Sequence, residues 1–190
     1  MTLPAEVDWH VDAGGWLVGC ARVDSPNHDP RPAGEAIRLI VIHAISLPPG
    51  QFGGDAVVDF FTNRLDPTQH PYFATLVGQR VSAHFFIRRE GAVTQFVSCH
   101  ERAWHAGISC WRGRERCNDF SLGIELEGTD HTNFAAAQYL TLQHLLTALQ
   151  RHFPGAAIVG HADIAPGRKT DPGPHFDWSG VVSPQHAAPG

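Results

Sequence analysis

The chain has 190 residues, of which 43% are hydrophobic, and its 14 Lys and Arg against 19 Asp and Glu give a formal charge of −5. We expect one globular domain over residues 1–190, with a core at about 15–180 and flexible ends. The acidic balance, with a pI of about 6.2, argues against nucleic-acid binding. The sequence shows neither a secretory signal nor a long apolar segment, so we expect a cytoplasmic monomer without membrane contact.

The four cysteines show no CxxC spacing, which argues against a thiolate zinc knuckle or a redox pair. Reduced thiols are the expectation for a cytoplasmic chain, and a disulfide between Cys110 and Cys117 is the alternative.

The first predicted elements are turn-rich segments around one strong strand. The segment 25–34 contains three prolines and cannot be helical, and the apolar run 38–43 predicts a strand that ends at His43. Apolar spacing over 55–61 then predicts a short helix with Asp55 as its cap. Residues 66–80 show no clear period and are interpreted as a long loop.

A hairpin is predicted next, with strands at 83–88 and 92–97 joined by a turn at 89–91. His84 lies within its first strand, and we interpret it as a hydrogen-bonded core histidine rather than a ligand. After the hairpin, Trp111 stands among several arginines, a mixture that suits an anionic substrate. Composition alone favours the alternative, which is a solvated surface loop.

The last third of the chain supplies the remaining core elements. Residues 121–127 alternate as a strand, with Glu125 and Glu127 on the face opposite the leucines. Leucine spacing over 133–153 predicts a long helix capped by Thr132 or Asn133, and 156–160 is a short buried strand. Together these elements predict an α/β fold with a central mixed β-sheet flanked by helices.

Two histidines follow the ends of predicted strands. His43 closes one strand, and His161 opens the segment 160–174, whose prolines and glycines predict a loop of fixed shape that presents Lys169 and Asp171. If the two strands are neighbours, the histidines lie close together. Two imidazoles and one carboxylate suit Zn²⁺ and leave a fourth position for water, as in a catalytic site. A single strand-end histidine, by contrast, is more often structural.

Two further residues have a predicted chemical role beside this metal. Glu125 is the candidate general base, and Glu127, on the same strand face, is the competing choice. Lys169 precedes Asp171 by two residues, so an extended loop directs both side chains to one side, where an ammonium group can stabilise an oxyanion.

An ordered set of motifs gives the chain a family resemblance. From about Gly15 to Trp178 the chain contains, in this order, the motifs GWL, SPNHDPRP, VIHAISLPPGQFGG, DPTQHPYF, RVSAHFFIRR, RAWHAG, GRERCNDFS, GIELEGTD, GHADIAPGRKTDPGP and FDW. With this set it resembles the zinc-dependent N-acetylmuramyl-L-alanine amidases of cell-wall recycling, which belong to the peptidoglycan-recognition-protein superfamily. The resemblance implies that family's fold and the following site residues: His43, His161 and Asp171 as zinc ligands, Glu125 and Lys169 as catalytic groups, and Arg80, Trp104 and Arg116 as substrate-binding residues.

The resemblance also implies a reaction. Its substrate would be a small anhydromuropeptide, cut between the lactyl group of 1,6-anhydro-N-acetylmuramic acid and L-alanine, which would lower the muropeptide signal for β-lactamase induction. The main alternative is a non-catalytic module that binds peptidoglycan fragments, although such relatives usually lack at least one zinc ligand. A secreted amidase of broader range is disfavoured by the missing export signal.

Overall fold

The computed structural model describes residues 9–181. The predicted flexible ends therefore lie mostly outside the described residues, apart from a short stretch near the N-terminus in which Val11 pairs with Leu17 in an isolated antiparallel bridge. Among the helices of residues 9–181, none is long and apolar enough to cross a membrane. All four cysteines are free, as expected, so Cys110 and Cys117 form no disulfide.

Short strands dominate the described chain, and four α-helices lie among them. The strands are β1 Ala21–Arg22, β2 His28–Pro30, β3 Leu39–Ile45, β4 Phe85–Ile87, β5 Val93–Gln95, β6 Glu101–Ala103, β7 Cys110–Trp111, β8 Arg114–Glu115, β9 Ser121–Glu127 and β10 Ala157–Gly160. The helices are α1 Ala56–Phe61, α2 Pro71–Ala74, α3 Ala136–His152 and α4 His161–Ile164, with 3₁₀ turns at Cys117–Phe120 and Trp178–Gly180.

Six strands form the central sheet in the order β1-β5-β4-β9-β3-β10. The predicted hairpin, β4 with β5, is antiparallel, while β9, β3 and β10 run parallel to one another. The mixed sheet is therefore confirmed, as is the expectation that the strand of His43 and the strand before His161 are neighbours. The first of these strands, β3, continues to Ile45 instead of ending at His43. Since parallel strands end at the same edge, the residues that follow β3, β9 and β10 meet there.

Both faces of β9 are covered, which explains why all seven of its residues are buried. On one face Leu122, Ile124 and Leu126 pack in the main core with the leucines of α3. The predicted alternation is thus correct for the core face. The opposite face carries Ser121, Gly123 and Glu125, which are also buried. Of these, Glu125 borders the cleft described below.

Helix α3 begins later than its sequence signals suggest. Its N-cap is Ala135, not Thr132 or Asn133, because Phe134 is buried in the core before the helix starts. The capping contact comes from Gln138, whose Oε1 accepts the Ala135 N–H at 3.0 Å. Similarly, Asp55 occupies the N-cap of α1 without a side-chain capping bond, and its carboxylate accepts instead from Arg88.

Gln138 also fixes α3 to the sheet. Its fully buried amide donates to the carbonyl of Ile87, where β4 ends, at 3.2 Å and to that of Glu127, where β9 ends, at 3.0 Å. One side chain therefore satisfies two strand-end carbonyls and the first turn of the helix.

Substituting Gln138→Met should lower the free energy of unfolding by about 1–3 kcal/mol, because two buried carbonyls and one N–H lose their partner. Urea denaturation measures this change. Gln143→Met is the matched control, since Gln143 lies on the exposed side of the same helix. Equal effects of the two substitutions would contradict the anchoring role.

Candidate active site

The register of three parallel strands places the predicted site residues at one sheet edge. His43 of β3 lies directly opposite Glu125 of β9. On the other side of β3, Gly160 of β10 pairs with Ile42, so that His161 follows at the same level. Backbone pairing alone thus brings both histidines and the carboxylate together.

The segment that begins at His161 is helical for one turn, which corrects the predicted loop. Residues 161–164 form α4, because Asp163 accepts the N–H of Gly160 at 2.7 Å and the prolines begin only at 166. The rest of the segment returns beneath this turn. There the N–H of Ala162 donates to the carbonyl of Asp171 at 2.9 Å, which holds Asp171 beside His161.

Three atoms that could bind a metal ion form a nearly regular triangle. The Nδ1 atoms of His43 and His161 are 2.9 Å apart, and the Asp171 Oδ2 atom lies 3.2 Å from the first and 3.1 Å from the second. Ligand atoms at tetrahedral bond lengths of about 2.0–2.1 Å would be separated by about 3.3 Å. The triangle therefore has the size of one tetrahedral face, and these residues fit a small transition-metal ion.

The Nε2 atoms of both imidazoles have partners of their own, so each Nδ1 atom is available to a metal ion. The Nε2 atom of His161 lies 3.1 Å from the carbonyl oxygen of Ala106, an acceptor that requires the proton on Nε2. The Nε2 atom of His43 lies 2.9 Å from Nδ1 of His105. Metal-binding histidines commonly have such an outer partner on the second ring nitrogen.

The charge states suit a metal as well. Burial lowers the pKa of His43 to about 4, so the imidazole is neutral near pH 7. Burial raises the pKa of Asp171, but the hydrogen bonds with His161 and His43 outweigh it and hold that pKa well below its usual range. Neutral imidazoles and an ionised carboxylate are the forms that bind cations.

Glu125 and Glu127 have different environments. Glu125 lines the cleft, is 9% exposed, and its Oε2 has no hydrogen-bond partner among the described residues. Burial and then the charge of Asp171 raise the pKa of Glu125 well above its usual range. Each oxygen of Glu127 instead accepts a backbone N–H, from Gly53 at 2.5 Å and from Arg89 at 3.0 Å. Glu125 is therefore the carboxylate available for chemistry.

The site opens into a cleft of about 650 Å³. Lys169 and Trp104 both line it, and their predicted roles toward a substrate stay predictions. Lys169 is exposed, whereas Trp104 is fixed by its indole N–H, which donates to Asp29 of β2 at 3.1 Å. The lining of the cleft combines apolar and polar residues: Leu47, Phe60, Tyr72, Leu76 and Val81, together with Thr129, Asp130, His131 and Lys169.

Arg80 and Arg116 lie outside the lining of this cleft. Arg80 is exposed and borders a neighbouring depression next to Val77. Arg116 pairs with Asp119 at 3.2 Å and borders another depression. Their assignment as substrate-binding residues stays a prediction.

His84 is the buried core histidine that was expected. Its Nδ1 accepts the N–H of Gly123 at 3.0 Å, and its Nε2 lies 3.1 Å from the carbonyl of Glu101. The residue that sequence reasoning missed is His105, to which no role was assigned. Its signal is Gly123, a glycine inside a buried strand, where a Cβ would lie 2.5 Å from the His105 ring.

Comparisons with known proteins show the family of this chain. Residues 33–174 match the N-acetylmuramoyl-L-alanine amidase family Amidase_2. The chain is 55% identical over 167 residues to the 1,6-anhydro-N-acetylmuramyl-L-alanine amidase AmpD of Escherichia coli, covering 87% of this chain and 91% of that protein. A crystal structure of AmpD superimposes with a TM-score of 0.87 at 52% identity, covering 88% and 95% of the two chains.

A more distant solved structure contains a ligand. The E. coli amidase AmiD in complex with anhydro-N-acetylmuramic acid-L-Ala-D-γ-Glu-L-Lys has a TM-score of 0.55 and 30% identity, covering 92% of this chain and 64% of that one.

Substitution of the two glutamates should change the free energy of unfolding by different amounts. Glu127→Gln replaces one acceptor oxygen by a donor that faces a backbone N–H, so it should cost about 1–3 kcal/mol. Glu125→Gln disrupts no such pair and should change the free energy of unfolding much less. Denaturation of the metal-free proteins measures both, and a larger loss for Glu125→Gln would contradict the division of roles.

Proposed function

Because the chain belongs to the N-acetylmuramoyl-L-alanine amidase family, we propose that it is a zinc-dependent 1,6-anhydro-N-acetylmuramyl-L-alanine amidase of peptidoglycan recycling. It hydrolyses the amide between the lactyl group of the anhydro sugar and the first residue of the stem peptide. The observation that carries this proposal is the triangle of donor atoms at the bottom of a cleft, with Glu125 beside it, one of whose oxygens has no partner within residues 9–181.

His43, His161 and Asp171 would hold the zinc ion. Two imidazoles and one carboxylate suit Zn²⁺, and three protein ligands leave one position open. Bound there, zinc supplies a Lewis acid that polarises a carbonyl group and makes water more acidic.

Glu125 carries the proton transfers. Its Oε2, which no described residue hydrogen-bonds, can accept a proton from the attacking water and deliver it to the departing amine. Burial favours this second step, because a desolvated carboxylate holds a proton readily.

Lys169 stabilises the negative charge that develops on the carbonyl oxygen. Its ammonium lies on an exposed stretch of the segment that contains Asp171, and both residues line the same cleft. A cation at this point favours the transition state over the neutral amide.

The cleft suits an anhydromuropeptide in size and polarity. A volume of about 650 Å³ falls in the range of small-ligand pockets. Its mixture of apolar and polar lining residues suits a ligand with both a sugar and a peptide, and the ligand in the AmiD complex has this chemistry. Arg80 and Arg116 would contact carboxylates of a stem peptide that extends beyond the cleft. Hydrolysis would also lower the muropeptide signal for β-lactamase induction.

Removing any zinc ligand should remove both metal and activity. His43→Ala, His161→Ala and Asp171→Ala each leave the ion with two protein ligands, so the purified variants should contain little zinc and should release no L-alanyl peptide from anhydromuropeptide. Metal analysis and mass spectrometry of the products measure both effects. Stoichiometric zinc in all three variants would refute the assignment, and the wild-type protein treated with a chelator serves as the matched control.

Glu125→Gln should separate chemistry from metal binding. The amide cannot take a proton from water, so kcat should fall by about 10²–10⁴ while zinc content stays unchanged. The matched control is Glu127→Gln, which should lower kcat far less, because the carboxylate of Glu127 accepts two backbone N–H groups instead of facing the reacting bond. If the two variants exchanged these phenotypes, Glu127 would be the general base. If Glu125→Gln kept full turnover, a non-catalytic role for this carboxylate would follow.

A further inference from the structure

Behind the metal-binding triangle lies a buried line of polar groups that the proposed reaction does not use. The Nε2 atom of His43 is 2.9 Å from Nδ1 of His105, and the Nε2 atom of His105 is 3.1 Å from the hydroxyl of Ser121. The two rings meet edge to face, at 87° with centroids 5.0 Å apart. All three residues are buried.

Proton counting gives this line a direction. A neutral imidazole carries one N–H, so once Nδ1 of His43 binds a metal its proton is on Nε2. The Nε2–H group of His43 donates a hydrogen bond to Nδ1 of His105. Since this Nδ1 is an acceptor, His105 carries its own proton on Nε2. The hydroxyl oxygen of Ser121 accepts the hydrogen bond from this Nε2–H group. Each ring nitrogen of His43 and His105 then has either the metal or a hydrogen-bond partner.

We propose that His105 is a positioning residue for the metal centre: it accepts the Nε2 proton of His43 and so fixes that imidazole with Nδ1 aimed at the metal. The inference rests on the proposed function, because it takes His43 to be a metal ligand. His105 itself supplies none of the three ligand atoms of the triangle.

The fold holds the His105 ring from two sides. The ring lies against the backbone of β9 at Gly123, where a Cβ would be 2.5–2.7 Å from three ring atoms, too close for any other residue without a shift. On the main-chain side, Asn118 Oδ1 accepts the N–H of His105 at 3.2 Å and that of Ala106 at 2.8 Å. The ring therefore has little freedom to turn away from His43.

Ala106, the next residue in the chain, contacts the other histidine of the triangle, His161. The carbonyl of Ala106 lies 3.1 Å from Nε2 of His161 and also accepts from Arg168 at 2.7 Å. Two consecutive residues thus orient both imidazoles of the triangle, one through its side chain and the other through its backbone. This arrangement is difficult to attribute to core packing alone, since packing does not require an acceptor at each nitrogen.

The test compares two substitutions of similar size at one position. His105→Leu removes the acceptor, and zinc affinity, measured by competition with a chromophoric chelator, should fall by about 10–100-fold. His105→Asn keeps an oxygen near the place of Nδ1 and should restore most of that affinity. The visible spectrum of the Co²⁺-substituted protein should change for His105→Leu and return toward that of the wild type for His105→Asn.

His84→Leu is the matched control. His84 is also buried and its ring lies 5.9 Å from that of His105, but its polar contacts are with the backbone of Gly123 and Glu101 and with Arg31 rather than with the triangle. It should reduce stability and leave zinc affinity unchanged. Equal losses of zinc affinity in His105→Leu and His84→Leu would reduce the role of His105 to packing and overturn the proposal, as would a His105→Leu variant that binds zinc as tightly as the wild type.

A measurement on the wild type covers the case in which a variant does not fold. In ¹⁵N NMR of the zinc-loaded protein, the Nε2 proton of His43 should be present, protected from exchange and hydrogen-bonded to a ring nitrogen of His105. A His43 protonated on Nδ1 would overturn the proposal. A wild-type protein that binds no zinc would refute the proposed function itself. If the wild type binds zinc and hydrolyses the amide, the proposed function holds, and the variants then decide the positioning role of His105.

Discussion

The parallel pairing of β3 with β9 on one side and β10 on the other is the constraint on which the site depends. It fixes His43 opposite Glu125 and brings His161 to the same edge through backbone hydrogen bonds. A shift of one residue in either pairing would turn one of these groups to the opposite face of the sheet. The leucines and isoleucines on the core face of β9 oppose such a shift, so the core that stabilises the fold also sets the chemistry.

A second constraint follows from burial. Polar groups taken out of water need partners, and the histidines beneath the cleft have them, from Ala106, His105 and Ser121. Glu125 is the exception among the site residues, since one of its oxygens is buried without a partner in the described part of the chain. A site that satisfies its buried histidines and leaves this oxygen unpaired concentrates reactivity on a single atom.

Local patterns were sufficient to predict five of the six strands of the central sheet, the long helix and the converging histidines, but they did not indicate β1 or α2. They failed where a distant contact decides the outcome. The start of α3 depends on the burial of Phe134 and on the reach of Gln138, not on the nearby Thr132 or Asn133. His105 has no local signature, because its partners His43 and Ser121 are 62 and 16 residues away in the chain. For the same reason, the sequence pattern named Glu125 as the general base but left Glu127 as a competing choice, because the two differ in the backbone groups that approach them.

The two hydrogen bonds that Asn118 accepts from residues 105 and 106 have a consequence for how this chain can change. Since these neighbouring residues orient both imidazoles, an insertion or deletion between 107 and 118 that displaced Asn118 would release both histidines at once. The hairpin β7–β8 lies within that interval and forms a separate two-stranded sheet. Changes to this hairpin are therefore best confined to its tip, with the length of the chain back to Asn118 kept constant.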